Sequence, residues 1–365
     1  MSTNLTDIFK KSQESDEEEL DLNKMGLEIE ADRVKTKFED LQERRKIEKI
    51  TSEIDLSLGN EKFIKKLKKD NKIYMEGLKN SKVFINNDFK HLVPYHPGTL
   101  TLIAANTGEG KSTCAANLAY HDLIQGKNVM VISNEEKATD FYNRVTAIIK
   151  LWNYQNHQDF TEEQKETFEE YIGILANKMT VVDNDYHGEP GQTTTIEGFQ
   201  TILSKLLEMA KNNILYDTII IDYYQNIGMS TRNPKLVDWE VQAKVAKMLD
   251  SFKNSYPAPI VILAQKKATN GDSDLSFKEL IQGRKIILDV CTCAIELKAD
   301  RPNFKTDWII RKSRFSAGAG QTVSTGYKFG RYVEYSQHFK ESMETKKLEN
   351  EMNKTLKIDM EKMRE

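Results

Sequence analysis

One short stretch carries the clearest chemistry. Ala105-Asn106-Thr107-Gly108-Glu109-Gly110-Lys111-Ser112 stands between an apolar run, Leu100–Ala105, and a helix-forming stretch, Thr113–Leu123. A polyphosphate needs inward-turned backbone N–H groups, a point positive charge and a hydroxyl that ligates magnesium. Gly108 and Gly110 permit the turn and the close backbone approach. Lys111 would reach the β- and γ-phosphates, Ser112 would ligate Mg²⁺, and the helix that Thr113 continues would favour the anion. Ala105 stands where the usual pattern has its first glycine, yet strand before and helix after supply the required context. The stretch predicts a nucleoside triphosphate, ATP or another, bound with Mg²⁺.

Three more polar residues end apolar runs. Asp222 follows Thr218–Ile221, Glu135 follows Asn128–Ser133 by two residues, and Gln265 follows Pro259–Ala264. Asp222 is placed to hold Mg²⁺ through water beside Ser112. Glu135 is a candidate to orient and deprotonate an attacking water, with Glu136 as its competitor and helix capping as the plainer role of both. Gln265 is a candidate γ-phosphate sensor that passes its state into the loop behind it.

These residues need a scaffold that gathers them. Strand-like runs alternate with helical ones, including helices over residues 137–152, 193–211 and 236–255, and a third strand at Met179–Val182. That alternation predicts an α/β fold with a mostly parallel sheet covered on both faces, where ligands sit at the carboxyl ends of the strands. The phosphate loop, Glu135, Asp222 and Gln265 all fall at such ends. Closer-spaced strands at Thr292–Leu297, Asp307–Arg311 and Tyr327–Glu334 are expected to finish the sheet antiparallel.

The 365 residues are 39% hydrophobic and 30% charged, enough for one large α/β domain plus extensions. The net charge of −3 excludes a generally basic protein, so any nucleic-acid contact must come from local patches. No apolar run has the length of a membrane span, and no signal-peptide core stands at the N-terminus. Residues 1–26 read as an acidic leader and 27–80 as a helical extension, with a basic helix Glu61–Leu78. The main domain spans 81–336, and a charged helical tail covers 337–365. Cys114, Cys291 and Cys293 lack the partners of a metal cluster and suggest a reducing compartment. Spaced two apart in a predicted strand, Cys291 and Cys293 are expected to face one side.

From Val83 to Glu334 the chain resembles the motor domain of the hexameric DnaB-type replicative helicases, which are RecA-like ATPases. Ala is frequent in that family at the position of Ala105. Ser133-Asn134-Glu135-Glu136 matches its catalytic-glutamate segment, and Arg144 stands where an arginine is usual. Ile221-Asp222-Tyr223-Tyr224-Gln225 matches its Ile-Asp-Tyr-Leu-Gln segment, Ala264-Gln265 its Ser-Gln switch, and Lys312-Ser313-Arg314 its Lys-x-Arg arginine-finger segment.

The resemblance implies a RecA-like P-loop core in an oligomeric ring, hexameric in the family, with Arg314, beside Lys312, entering the neighbour's site. It implies that the loop Met229–Asp238, with Arg232 and Lys235, and the loop Lys266–Lys285, with Lys266, Lys267, Arg284 and Lys285, line the ring and contact single-stranded DNA. The implied function is an ATP-dependent helicase or translocase in replication, in the cytoplasm of a bacterial or phage-infected cell, with a primase, a loader or other replisome proteins as partners. The alternative is a RecA-like recombination or assembly ATPase that binds DNA without unwinding it. Departures are Ala268, where the family usually has arginine, the missing proline after the Glu-Glu pair, and helices over Leu27–Leu78 where the family has a globular collar.

Overall fold

Uninterrupted Ile, Val and Leu mark strands that are buried on both faces. β1 (Leu100–Ala105), β2 (Val129–Ser133) and β4 (Thr218–Asp222) are buried at every residue, and β5 (Ile260–Gln265) at all but its last. The computed structural model describes residues 84–154, 160–185, 193–228, 238–266 and 286–336, with the helical positions 61, 64–68, 71, 72, 75 and 341. The leader 1–26, the helix expected over Leu27–Leu58, the loop stretches 229–237 and 267–285 and nearly all of the tail lie outside the described residues.

The chain divides into two units, 1–73 and 74–365. In the first, Glu61, Ile64–Lys68, Asn71 and Lys72 are helical and exposed, as the sequence predicts for a basic helix. In the second, one sheet of the described residues runs in the order β3-β2-β4-β5-β1-β6-β7-β8-β9, where β3 is Met179–Val182, β6 Cys293–Asp300, β7 Lys305–Ser313, β8 Thr322–Lys328 and β9 Arg331–Glu334.

Two hydrophobic layers cover this sheet. One face packs on α1 (Lys111–Ile124) and α2 (Ala138–Lys150), and also on Phe84 and Phe89, which meet Trp308 of β7, with Tyr95 against Phe84. The other face packs on α4 (Ile196–Lys211), α5 (Asp238–Ser255) and the short α6 (Ile286–Val290). Outside the first layer, α3 (Glu162–Leu175) begins with a full capping box at Thr161 and Gln164.

The late strands differ from expectation in three ways. β6 pairs parallel with β1 and antiparallel only with β7. The stretch Tyr327–Glu334 is not one strand but the end of β8, a two-residue turn and β9. Phe329 and Gly330 both take positive φ, 50° and 83°, the geometry of a tight hairpin turn. Cys291 and Cys293 belong to opposite core layers, because Cys291 closes α6, its N–H bonded to Ile287, and only Cys293 enters the strand. All three cysteines are buried and free.

Gly318, in the turn between β7 and β8, tests this packing. A Cβ there would lie 2.1 Å from the carbonyl oxygen of Leu92, which already accepts a hydrogen bond from Ser316. Backbone at that distance must move. Gly318→Ala is expected to lower stability by about 1–3 kcal/mol, read as a lower thermal midpoint. Gly173→Ala, in α3 with nothing within 4 Å, is the control and should hold or raise the midpoint. Equal midpoints for both variants would refute the packing of this turn.

Candidate active site

The fold brings four sequence-distant candidates to one sheet edge. β1 ends at Ala105, β2 at Ser133, β4 at Asp222 and β5 at Gln265, all parallel neighbours in the order β2-β4-β5-β1. Asn106–Gly110 links β1 to α1, and Gly108 and Gly110 carry φ of 78° and 91°, a region costly for side-chain-bearing residues. Glu109 folds back, its carboxylate accepting the Asn106 amide N–H at 2.7 Å and the Asn106 side-chain N–H at 2.9 Å. Lys111 opens α1, mostly buried, with its ammonium 5.5 Å from the centre of the Tyr223 ring.

Asp222 is 1% exposed. Burial pushes its carboxyl up to about 7; Glu136 and Glu135 add to the rise, while the Ser112 hydrogen bond and the Lys111 charge oppose it. One of its oxygens, Oδ1, is buried without a hydrogen-bond partner. A buried carboxylate with a spare oxygen beside a serine hydroxyl fits a hard divalent cation such as Mg²⁺, which takes oxygen ligands and keeps several waters. Among the described residues no group of three His, Cys, Asp or Glu side chains is placed to hold a metal.

The two glutamates separate. Glu136 forms an ion pair with Arg144, whose guanidinium also lies 5.1 Å from the Tyr154 ring centre. Glu135 is exposed and has no ion pair among the described residues. Gln265 donates to the Thr107 hydroxyl at 2.6 Å, a direct bond between the candidate sensor and the phosphate loop. The Gln225 side chain clasps the Gln265 backbone, donating to its carbonyl at 3.1 Å and accepting its N–H at 3.3 Å.

Arg314 and Lys312 lie elsewhere. The Arg314 N–H bonds Thr292, and Thr292 bonds Leu100, the first residue of β1. The phosphate loop starts at the other end of that strand, about 17 Å away at ~3.3 Å per residue. Arg314 donates to the Asp289 carbonyl at 2.7 Å, Lys312 donates to Leu288, and Lys253 donates to Val290 at 2.5 Å. Three cations thus gather on the last carbonyls of α6, where a helix end favours positive charge.

Of the residues implied for DNA, Arg232, Lys235, Lys267, Arg284 and Lys285 lie outside the described residues. Lys266 is a correction. It is 7% exposed and ion-paired with Glu296 at 2.5 Å, so its charge is spent inside the domain rather than on a surface. Its place directly after a buried strand end, rather than in the loop proper, is the reason.

Sequence reading missed two residues at the phosphate site, one on the loop and one beside the helix that follows it. Arg301, in the turn between β6 and β7, donates to the Gly108 carbonyl. No local pattern marks it, because the contact spans 193 positions of chain. Tyr327 shares a cleft with Thr113, in the first turn of α1. Its hairpin is fixed there by Asn117, which donates to Gly330 at 2.7 Å and accepts from Tyr332 at 2.8 Å. Tyr327, Phe329, Arg144, Tyr154 and Thr113 line one open cleft beside the loop.

Against known proteins, the family model described as DnaB-like helicase C terminal domain matches residues 84–273. Among solved structures the chain is similar to one described as an ATPase domain, with a TM-score of 0.52 and 18% identity, over 65% of this chain and 85% of that one. It is also similar to a DnaB-like replicative helicase whose structure was described with its interactions with primase: TM-score 0.52, 18% identity, 66% of this chain. The chain spans 58% of that helicase's length. At such identity the structural likeness establishes the fold. No curated protein sequence matches the chain. The family match covers more than half of the 365 residues, and with the shared fold it shows that this chain belongs to the DnaB-like helicase C-terminal domain family.

Proposed function

We propose that the chain is an ATP-driven motor that translocates on single-stranded DNA and unwinds duplex DNA as a homo-oligomeric ring during replication. One observation carries this reading. A phosphate loop, a carboxylate for Mg²⁺, a candidate base and a sensor share one sheet edge, while the family's finger arginine sits a strand length away. Such a site is completed only by a neighbouring subunit.

In this reading the Asn106–Gly110 backbone and Lys111 hold the β- and γ-phosphates. Ser112 and Asp222 would hold Mg²⁺, which would supply positive charge at the phosphate oxygens. Glu135 takes the proton of the attacking water, and Gln265, bonded to Thr107, registers whether a γ-phosphate is present. Tyr327 and Arg144 line the cleft that receives the nucleoside end. Arg314 of the neighbour, oriented with Lys312, stabilises the transition-state charge. Loops 229–237 and 267–285 supply the DNA contacts, and primase or a loader docks on the assembled ring. The exposed helix around Ile64 and Leu67, 38% and 50% exposed, packs on the adjacent subunit.

The reading supports a cytoplasmic protein of a bacterial or phage-infected cell, and no helix of the described residues is long and apolar enough to cross a membrane. The test is strand displacement on a forked duplex with ATP and Mg²⁺. Unwinding by the wild type, together with ATP hydrolysis that rises when single-stranded DNA is added, is the expected result. Hydrolysis indifferent to DNA, with no displacement, would refute it. DNA-stimulated hydrolysis without displacement would instead indicate a recombination or assembly ATPase.

A further inference from the structure

Glu296 has no part in the chemistry above, yet it is among the most deeply buried charges of the domain. It stands on β6 opposite Ala104, one residue short of the phosphate-loop end of β1. Its side chain is 2% exposed, and its two oxygens are held from two places, the residue after β5 and strand β7. Lys266 donates to Oε1 at 2.5 Å; Arg311 donates to Oε2 from Nε at 2.8 Å and from Nη2 at 2.5 Å. Burial alone would raise this carboxyl, but the bonds from Lys266 and Arg311 outweigh it and hold it below its ordinary range.

Each cation has a telling neighbour. Lys266 directly follows Gln265, and its N–H bonds the Ala105 carbonyl at 2.9 Å. Arg311 precedes Lys312-Ser313-Arg314 and is the extra residue of a β-bulge, since Ile295 pairs with Ile310 and Ala294 with Lys312. In a regular strand Lys312 would share the face of Ile310. The inserted residue breaks that alternation and puts Arg311 and Lys312 both on the Glu296 face, toward α6. A bulge is also where a strand bends most readily.

We propose that Glu296 is a positioning residue that couples the γ-phosphate sensor of a subunit's own site to the arginine finger the same subunit delivers to its neighbour. This rests on the ring reading above. A shift of Gln265 toward bound nucleotide carries Lys266 with it. Glu296 follows, because stranding either the buried carboxylate or the buried Lys266 ammonium is strongly unfavourable. Arg311 then pulls on the bulge, and Arg314 lies three residues further on. Arg311 is 40% exposed, but it grips the buried Oε2 with two N–H groups, a fixed geometry that a loosely held surface ion pair lacks.

The test uses the full chain and two variants, Glu296→Gln and the triple variant Lys266→Met, Glu296→Leu, Arg311→Met. ATP hydrolysis with saturating single-stranded DNA is measured as wild-type or variant subunits are mixed with rising fractions of Lys111→Ala subunits. Coupled wild-type sites are expected to lose rate faster than in proportion to the dead fraction. Both variants are expected to lose rate in simple proportion, with the DNA-stimulated rate down about tenfold, an ordinary size for coupling between sites. KM for ATP should stay within about twofold. A merely structural role would lower the thermal midpoint and leave the shape of the mixing curve unchanged. The triple variant leaves no buried charge unpaired, so it carries the test even where Glu296→Gln unfolds. Variant curves that superimpose on a steep wild-type curve overturn the proposal, as does a wild-type curve that is itself proportional. A wild type that hydrolyses ATP without any response to DNA overturns the ring-motor reading instead, and the coupling falls with it.

Discussion

Arg314→Ala is expected to lower the single-stranded-DNA-stimulated ATPase by about 10³-fold or more, the range over which finger arginines act in other nucleotide hydrolases. Loss of rate alone would not show that the arginine works in trans, because Arg314 also bonds the Asp289 carbonyl at the end of α6. Mixing settles the matter. Lys111→Ala subunits have a dead phosphate loop and an intact finger; Arg314→Ala subunits have the reverse. Where each site is completed by the neighbour, a one-to-one mixture of these two inactive proteins regains activity at about one interface in four. A cis-acting arginine gives no recovery at all. The side chain is exposed, and the bond it makes is to a neutral carbonyl, so thermal midpoints of single variants should move little. A large drop in midpoint with no recovery on mixing would make Arg314 a cap of α6 and nothing more.

The sheet edge was legible because each of its strands announces itself locally. Thr-Ile-Ile-Ile before Asp222 and Ile-Val-Ile-Leu-Ala before Gln265 are apolar runs of the kind that only doubly covered strands bury. Strands of one parallel sheet, joined by helices, end on the same side, so polar residues after those runs had to converge. The pairing that holds Glu136 and leaves Glu135 exposed was not legible in that way. It depends on Arg144, eight positions on, being one helical segment away and occupied with Glu136.

The second half of the domain was harder to read for a physical reason. Strands β7 to β9 are buried on one face only, so their apolar residues alternate with polar ones and their ends are marked by turns rather than by runs. The turn at Phe329 and Gly330 hides inside a stretch that alternates well enough to pass for one strand. A bulge is invisible to any strict two-residue pattern, which is why Arg311 and Glu296 are found only in three dimensions. Lys266 shows the opposite failure. A lysine at the start of a loop suggests a phosphate contact, but its partner, Glu296, lies thirty positions away on β6, across β1 from the end of β5.

Asp222→Asn should separate what the site does from what the fold prefers. Hydrolysis is expected to fall by about 10³-fold or more, since a carboxylate positioned for Mg²⁺ supplies several kcal/mol of charge stabilisation through the ion. Stability of the nucleotide-free protein should move the other way at alkaline pH. Burial lifts the Asp222 carboxyl from 3.8 to about 7 in the folded chain. Between those values the folded state holds a proton that the unfolded state has released, so stability falls as pH rises. The contribution is complete below pH 3.8 and lost once pH passes about 7. At pH 8 the folded protein therefore carries an unneutralised buried charge that disfavours it by at most about 4 kcal/mol, at 1.36 kcal/mol per tenfold. An asparagine removes that charge while keeping the shape. The variant's thermal midpoint, without metal or nucleotide, should exceed the wild type's at pH 8 by several degrees, and the gap should shrink as pH is lowered toward 4. Adding Mg²⁺ and ATP should raise the wild-type midpoint far more than the variant's, because ligand binding stabilises only the chain that binds it. A variant less stable than wild type at pH 8, or one that still hydrolyses ATP at the wild-type rate, would mean that Asp222 is a structural strand cap and that Ser112 finds its metal partner elsewhere.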